Sequence, residues 1–436
     1  MTAEGPALAA TRAALDRIAA TNDDWHIFIT VDGRGAVEAA AASDERRQRG
    51  ALLSTLDGVP IAIKDNVDVA GLPTTVGTDA HRHAVAGRDA AVIARLKAAG
   101  AVILGKLNMH EGALGATTDN RFYGRCENPR APGHTPGGSS GGSGAAVAGG
   151  LVRIALGTDT MGSVRIPAAY CGCWGLKPTR GLVGTSGLVY LSWTLDTIGP
   201  LAANAGDLAD AIRIMAGTDR DDPRSIAAPA GWDPAPLATS LEGKRLGRPS
   251  VVDDVGCEAE IRDAYDALLA RARAAGAEIV DVEIAGWDTG RARRAGLLVS
   301  EAETGSLIGA DLDARPEAFS AEFRAMINYG RKASGERIAG AYHALDQLGL
   351  AARNALDGVD AFIMPTAPQR AFPHGTPAPS NQADFTALAN IAGLPAVAFP
   401  LPSPADAPPT SAQLVGRPFS EGALLGLAQA LSDLPS

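Results

Sequence analysis

Pro136-Gly137-Gly138-Ser139-Ser140-Gly141-Gly142-Ser143-Gly144 runs straight into Ala145-Ala146-Val147-Ala148. A flexible glycine-serine linker is expected to end in polar residues. The apolar continuation instead predicts a loop packed inside the fold that feeds a helix. Leu151 to Leu156 then reads as a strand leading to Gly157-Thr158-Asp159-Thr160-Met161-Gly162-Ser163, which continues as Val164-Arg165-Ile166-Pro167. Upstream, Val59 to Ile63 is a short apolar run, read as a buried strand carrying Lys64 at its C-terminal end. Lys64 lies 75 residues before Ser139 (139 − 64), and Ser163 lies 24 residues after it (163 − 139). A nucleophile, a hydroxyl relay and an amine base are the parts of an acyl-transfer device that needs no histidine.

The elements around this stretch alternate. Residues 5–20 read as a helix with Leu8, Leu15 and Ile18 on or near one face, Trp25 to Val31 as a strand, and 34–49 as a helix. Asp89 to Ala99 is helical, Gly100 breaks it, and Ala101 to Leu104 is a strand. Such alternation predicts an α/β fold, with a mixed, mostly parallel β-sheet sandwiched between layers of α-helices. Residues 221–245 look like a surface connection, 258–275 a strong helix, 290–356 mostly helical, and 402–410 a surface loop. No internal repeat interrupts residues 1–436, which read as a single large domain.

With 39 basic and 49 acidic residues the formal charge is −10, which argues against a general nucleic-acid surface. No run of about 18 apolar residues occurs, so no membrane span is expected. Residues 1–22 lack the basic start, apolar block and cleavage site of a signal peptide. The four cysteines, 126, 171, 173 and 257, are too few and scattered for a disulfide framework. Cys171-x-Cys173 is flanked by apolar residues and reads as buried free thiols rather than half a metal site, consistent with a reducing, cytoplasmic setting. His81-x-His83 sits in a polar loop without an obvious third ligand and reads as surface. Neither a metal nor a cofactor is expected.

Lys64 is the sharper chemical question. A free lysine has a pKa of about 10.4 and is charged at neutral pH. Burial without a carboxylate partner would lower that value and make a base; a surface lysine at a strand end would stay charged. Asp65 follows directly, and strand alternation should send it to the opposite face. Ser163 ends a tight turn whose successive backbone N–H groups, around Thr160 to Ser163, can converge on an oxyanion. A rival reading is that Gly137-Gly138-Ser139-Ser140-Gly141 is the G-x-S-x-G elbow of an α/β-hydrolase-like esterase, with His343 or His374 as the late histidine. That elbow needs a strand directly before it, whereas Asn128 to Gly133 reads as loop. A phosphate loop would need Gly-Lys-Ser/Thr after the glycines, which is absent.

Further segments carry a family resemblance: Gly58-Val59-Pro60-Ile61-Ala62-Ile63-Lys64-Asp65, Gly105-Lys106-Leu107-Asn108-Met109, Cys171-Gly172-Cys173-Trp174-Gly175-Leu176-Lys177-Pro178-Thr179 and Leu195-Asp196-Thr197-Ile198-Gly199-Pro200. Met364-Pro365-Thr366-Ala367-Pro368 and Asn390-Ile391-Ala392-Gly393-Leu394-Pro395-Ala396 add to them. Together with the serine stretches they resemble the amidase signature family, densely over about 56–222 and patchily afterwards, least over 290–356. The resemblance implies a mixed sheet of about eleven strands sandwiched by helices. It implies Ser163 as the acyl-enzyme nucleophile, Ser139 as a relay presented from a cis peptide, and Lys64 as the base. It further implies Thr160, Met161, Gly162 and Ala113 as oxyanion or substrate-binding positions. Ser140 matches a secondary serine, and Asp159 and Arg165 a structural pair that braces the loop; Arg165 as a clamp on a substrate carboxylate is the competing reading. Met161 stands where many members have glycine, so its side chain is expected to narrow or reshape the pocket.

The activity implied is hydrolysis of a small-molecule carboxamide, aryl amides and carbamates included, without nucleic-acid or membrane partners; a homodimer stays open. The alternative is the amidotransferase A-type subunit, which releases ammonia from glutamine for tRNA-bound glutamate inside a complex. The pocket walls are expected from Ala113 to Thr117, Tyr190 to Trp193 and the 290–345 region, with Met161, Tyr190, Trp193 and Tyr329 making them apolar or aromatic.

Overall fold

The computed structural model describes residues 5–235 and 239–435. Its strands are β1 (Phe28–Val31), β2 (Pro60–Lys64), β3 (Val102–Leu107), β4 (Asp119–Asn120), β5 (Gly124–Arg125), β6 (Ile154–Asp159) and β7 (Trp174–Lys177). They continue as β8 (Thr197–Ala202), β9 (Arg245–Pro249), β10 (Glu278–Val282), β11 (Ala361–Pro365), β12 (Ala396–Leu401) and β13 (Thr410–Val415). β4 and β5 form a small hairpin; the others make one eleven-stranded sheet in the order β1-β3-β2-β6-β8-β7-β12-β13-β11-β9-β10. The expected mixed sheet is thus present, and its parallel ladders lie in two blocks. β3, β2 and β6 run parallel, as do β11, β9 and β10. The ladders between these blocks are antiparallel. The short 402–409 loop returns β12 to β13 as an antiparallel neighbour, whereas helices such as Ala91–Ala98 and Ala259–Ala274 carry parallel crossovers.

The apolar alternation of the central strands sorts side chains into two layers. Ile61 and Ile63 of β2 and Ile154 and Leu156 of β6 pack on one face, with Leu208 and Ile212 of the helix Ala205–Met215 and Leu424 and Leu425 of the helix Glu421–Ser432. Ala62 and Ala155 point the other way, onto Ile18 of the helix Pro6–Trp25 and Ala145 and Ala146 of the helix Gly141–Ala148. The small residues on that second face let the Gly141–Ala148 helix approach the sheet closely.

Several boundaries differ from the sequence reading. The first helix runs to Trp25, so the strand expected from Trp25 starts at Phe28. The polar run Thr21 to Asp24 signals a stop, but Asn22 exchanges two hydrogen bonds with the Phe28 backbone, at 3.0 and 2.7 Å, and the helix holds through it. Its buried face is Ala7, Thr11, Ala14 and Ile18, leaving Leu8 and Leu15 half-buried. The strand expected to end at Leu156 runs through Asp159, and that expected to end at Leu104 runs to Leu107. The 290–356 region is helical as expected, as Thr289–Ala314, Ala321–Arg331 and Gly335–Ala355. Asp288, Ser320 and Ser334 cap these helices by accepting the N–H groups of Arg291, Phe323 and Arg337.

Candidate active site

Lys64 ends β2 between two parallel neighbours and is fully buried. Its Nζ lies 2.8 Å from Ser139 Oγ and 2.7 Å from Thr158 Oγ1. Burial pushes the amine down to about 7; Asp196 and Asp159 pull it up at longer range without an ion pair to either among the described residues. Asp65 is directed away, as alternation predicts, and pairs with the buried Lys106 at 3.0 Å.

The glycine-serine run divides its serines by direction. Ser139 follows the cis Gly138–Ser139 peptide bond and faces Lys64. Ser140 and Ser143, one helical turn apart, face β6: Ser140 Oγ accepts the Thr158 N–H at 3.2 Å and donates to Thr158 O at 3.1 Å, and Ser143 Oγ donates to Leu156 O at 2.9 Å. Ser140 therefore staples the helix Gly141–Ala148 to the sheet. No strand leads into the run: residues 126–138 carry no strand, and Ser139 is already bonded to an amine. The elbow geometry of an α/β-hydrolase is not formed here.

The loop after β6 is built around Asp159. Its carboxylate accepts the N–H groups of Gly162 at 2.7 Å and Val164 at 3.1 Å, and pairs with Arg165 at 2.9 Å, both side chains being fully buried. The Arg165 ion pair overcomes the opposing effect of burial and holds Asp159 near 2. Arg165 also donates to Gln413 on β13 at 2.9 Å and to Asn390 at 2.6 Å, and Asn390 returns a bond to Asp159 O at 2.8 Å. With its donors committed inside the protein and its side chain absent from the cavity wall, Arg165 fits the bracing position and not a substrate clamp. Gly162 has φ +134°, and a Cβ there would lie 2.2 Å from Thr386 Oγ1, so only glycine fits. Because Asp159 takes the Gly162 N–H, that group is not free for an oxyanion in this structure. Ser140 N–H donates to Ser163 O at 3.3 Å, which ties the two serine segments together.

Ser163 is half-buried and opens onto a cavity of about 670 Å³, within the range of small-molecule sites. Thr160, Met161, Gly138 and Ala113 share its wall. Ala113 has φ +61°, a left-handed conformation that non-glycine residues adopt at a cost, and its N–H is taken by His110 O at 2.9 Å. Residues 113–117 line the cavity as expected; from 290–345 come Arg293, Leu297, Ser300, Ser320, Glu322 and Met326. Of the segment Tyr190 to Trp193, Leu191 reaches it. Tyr190 is instead tied to Thr185 at 2.8 Å, and Tyr329 is exposed beneath the Arg337 guanidinium. The aromatic wall expected from these tyrosines is absent because their hydroxyls find partners elsewhere. A wall from Phe372 to Ala383 takes their place, held by Thr135 N–H to Phe372 O and His374 N–H to Gly133 O, both 3.0 Å.

Sequence reading passed over three groups. Thr158 is the second hydroxyl on Lys64, and Asn66 donates to it at 3.2 Å. Asp196 accepts from Thr160 Oγ1 at 2.5 Å and from the N–H groups of Leu191 and Ser192, and burial raises it to about 6. His110, on the cavity wall, accepts the Thr118 N–H at Nδ1, and burial pushes it down to about 4, so it is neutral in ordinary buffers. Nothing local in the sequence marks any of the three. Cys126, Cys171 and Cys173 are buried free thiols.

The chain has counterparts among known proteins. A family model described as Amidase matches residues 9–425. The A-type subunit of a glutamyl-tRNA(Gln) amidotransferase from Anaeromyxobacter sp. (strain K) is 39% identical over 449 residues, covering 96% of this chain and 91% of that protein. Among solved structures, one from a vestigial protein complex bearing on the evolutionary origins of an s-triazine catabolic enzyme superposes with a TM-score of 0.89 at 33% identity, covering 99% of this chain and 96% of that one. A crystal structure of an amidase superposes with a TM-score of 0.86 at 31% identity, covering 98% and 95%.

Proposed function

The chain belongs to the amidase signature family, and from that premise we propose that it hydrolyses a small carboxamide through an acyl-enzyme on Ser163. The observation that carries this reading is Lys64: a fully buried amine, lowered to about 7, 2.8 Å from the hydroxyl of Ser139. Neutral Lys64 accepts the Ser139 proton as Ser139 takes the proton of Ser163, and Ser163 Oγ attacks the carbonyl carbon. The N–H groups of Thr160, Met161 and Ser163, which Asp159 does not take, are the donors for the resulting oxyanion. The proton returns through Ser139 to the nitrogen, the C–N bond breaks, and the amine leaves. Water, deprotonated by the same relay, releases the acid from Ser163. Carbamates and ureas present the same planar carbonyl–nitrogen core.

A second reading has its own support in the curated relatives, which carry the name of the A-type subunit of glutamyl-tRNA(Gln) amidotransferase. On it, the amide is that of glutamine and the ammonia passes to a partner-bound acceptor. Both readings use the same first half-reaction. The apolar share of the cavity, from Leu114, Ile166, Leu191, Leu297 and Met326, supports a free-standing amidase, whereas Asp119, Arg121 and Glu322 on the same wall are groups that suit the charged end of glutamine. Ammonia release by the purified chain separates them. Turnover of aliphatic or aryl amides, carbamates or ureas without glutaminase activity supports the amidase; glutaminase activity that emerges only with a partner protein supports the amidotransferase.

A further inference from the structure

Met161 touches the helical region in a way that neither reading uses. Its backbone is fixed on both sides: Thr160 Oγ1 is held by Asp196, the Gly162 N–H by Asp159, and Met161 O by Thr386 Oγ1 at 2.6 Å. Only the side chain is free to change course. It lies against the helix Thr289–Ala314 at Gly296, where a Cβ would come within 2.8 Å of the Met161 sulfur and 3.0 Å of its methyl. Ala292 and Ala295 flank that glycine and belong, with Met161, to one apolar cluster. The helix is thus notched where the thioether enters. On the same helix Arg293, Leu297 and Ser300 line the cavity, and Met161 lines it beside Ser163. The notch and the cavity wall are parts of one helix, so the methionine has two places to go: into the notch, or into the substrate space.

We propose that the seating of Met161 in the Gly296 notch sets the size of the substrate substituent that lies over the nucleophile loop. With the thioether seated, that space is open to a bulky substituent; with the notch filled, the flexible thioether is displaced into the cavity and excludes it. The inference rests on the amide-hydrolysis reading and deepens it to a residue that determines specificity.

The experiment uses the full chain and the kcat/KM ratio of a bulky to a slender amide, benzamide against propionamide, or the corresponding pair among whichever carbonyl–nitrogen substrates the enzyme turns over. Gly296→Ala should lower the ratio about tenfold, the scale on which a pocket discriminates by a few carbons, whereas Met161→Ala should leave it within about twofold of wild type, because the seated thioether already leaves that space open. In the Met161→Ala background, Gly296→Ala should leave the ratio unchanged, because no thioether remains to be displaced. Met161→Leu, which keeps the volume but branches too early to enter the notch, should resemble Gly296→Ala and serves where that variant does not fold. A ratio within about twofold of wild type in Gly296→Ala and Met161→Leu, or an equal effect of Gly296→Ala in both backgrounds, overturns the inference. Retained turnover in Ser163→Ala would overturn the underlying reading instead, so the two failures are distinguishable.

Discussion

At Lys64 two hydroxyls occupy the positions that a carboxylate would take around a charged lysine. In the proposed mechanism the neutral amine is the competent form, so activity should climb with pH through an ionisation near 7 and stay high above it. Of the titratable groups near it, Asp159 is ionised across that range and His110 is neutral throughout. Asp196, raised to about 6 by burial, exerts the larger of the two carboxylate pulls that hold Lys64 up. Replacing it as Asp196→Asn should therefore shift the ascent to lower pH, read from kcat/KM profiles. Lys64→Ala should remove most of the rate and flatten the ascent, and Lys64→Arg should not restore it, because a guanidinium keeps its proton in this range. A Lys64→Ala enzyme with the wild-type profile would place the base elsewhere. Ser163→Ala should lower turnover by about 10⁴-fold or more while leaving the thermal midpoint within a few degrees, since a half-buried hydroxyl is lost and no packing.

The loop after β6 depends on elements far from it in sequence. Arg165 reaches Asn390, before β12, and Gln413, on β13, so the Ser163 loop is joined to these C-terminal segments through one guanidinium. Arg165→Met should leave the Asp159 carboxylate buried without its partner and cost about 3–5 kcal/mol, measured by urea unfolding. The sign with pH follows from Asp159. Its folded value near 2 is below the ordinary carboxylate value, so its contribution is present above about pH 4 and is lost as pH falls toward 2. The deficit of Arg165→Met should accordingly shrink in acid; a deficit that is constant from pH 7 to pH 3 would assign it to lost packing. Bracing of this kind keeps the Ser163 loop in place without occupying the cavity.

Across the whole molecule, a base held neutral by burial is a stability cost. Lys64 titrates near 7 when folded and near its ordinary value when unfolded, so the unfolded chain binds more protons between those values and stability rises with pH across them. Below about pH 7 the cost is fully present; above about 10.5 it vanishes. Lys64→Met, similar in length and uncharged, should therefore be inactive yet more stable than wild type at pH 6–7, with the gap closing toward pH 10, followed by chemical denaturation. A variant less stable than wild type at pH 6 would show that the two hydroxyl contacts outweigh desolvation. Burial lowers the fully buried Lys177 to about 7 as well, so the Lys64→Met variant retains a rise in stability over the same range.

What residues alone determined is local. An apolar run ending in Lys64, a glycine-serine run continuing into alanines, and Asp159 six residues before Arg165 each specify their element, and alternation alone was enough to separate Asp65 from Lys64. The tertiary structure decided everything that depends on distant segments meeting. Thr158 joins Lys64 because β2 and β6 pair in parallel register, Asp196 reaches Thr160 because it precedes β8, whose Thr197 pairs with Asp159 of β6, and the Phe372 to Ala383 wall is positioned by backbone bonds to residues 133–135. None of these contacts leaves a periodic trace, because loops and hydroxyls carry no amphipathic pattern. The same reason hid the Gly296 notch: a glycine inside a helix weakens the sequence signal, and only the methionine packed against it, 135 residues away (296 − 161), shows what the missing side chain makes room for.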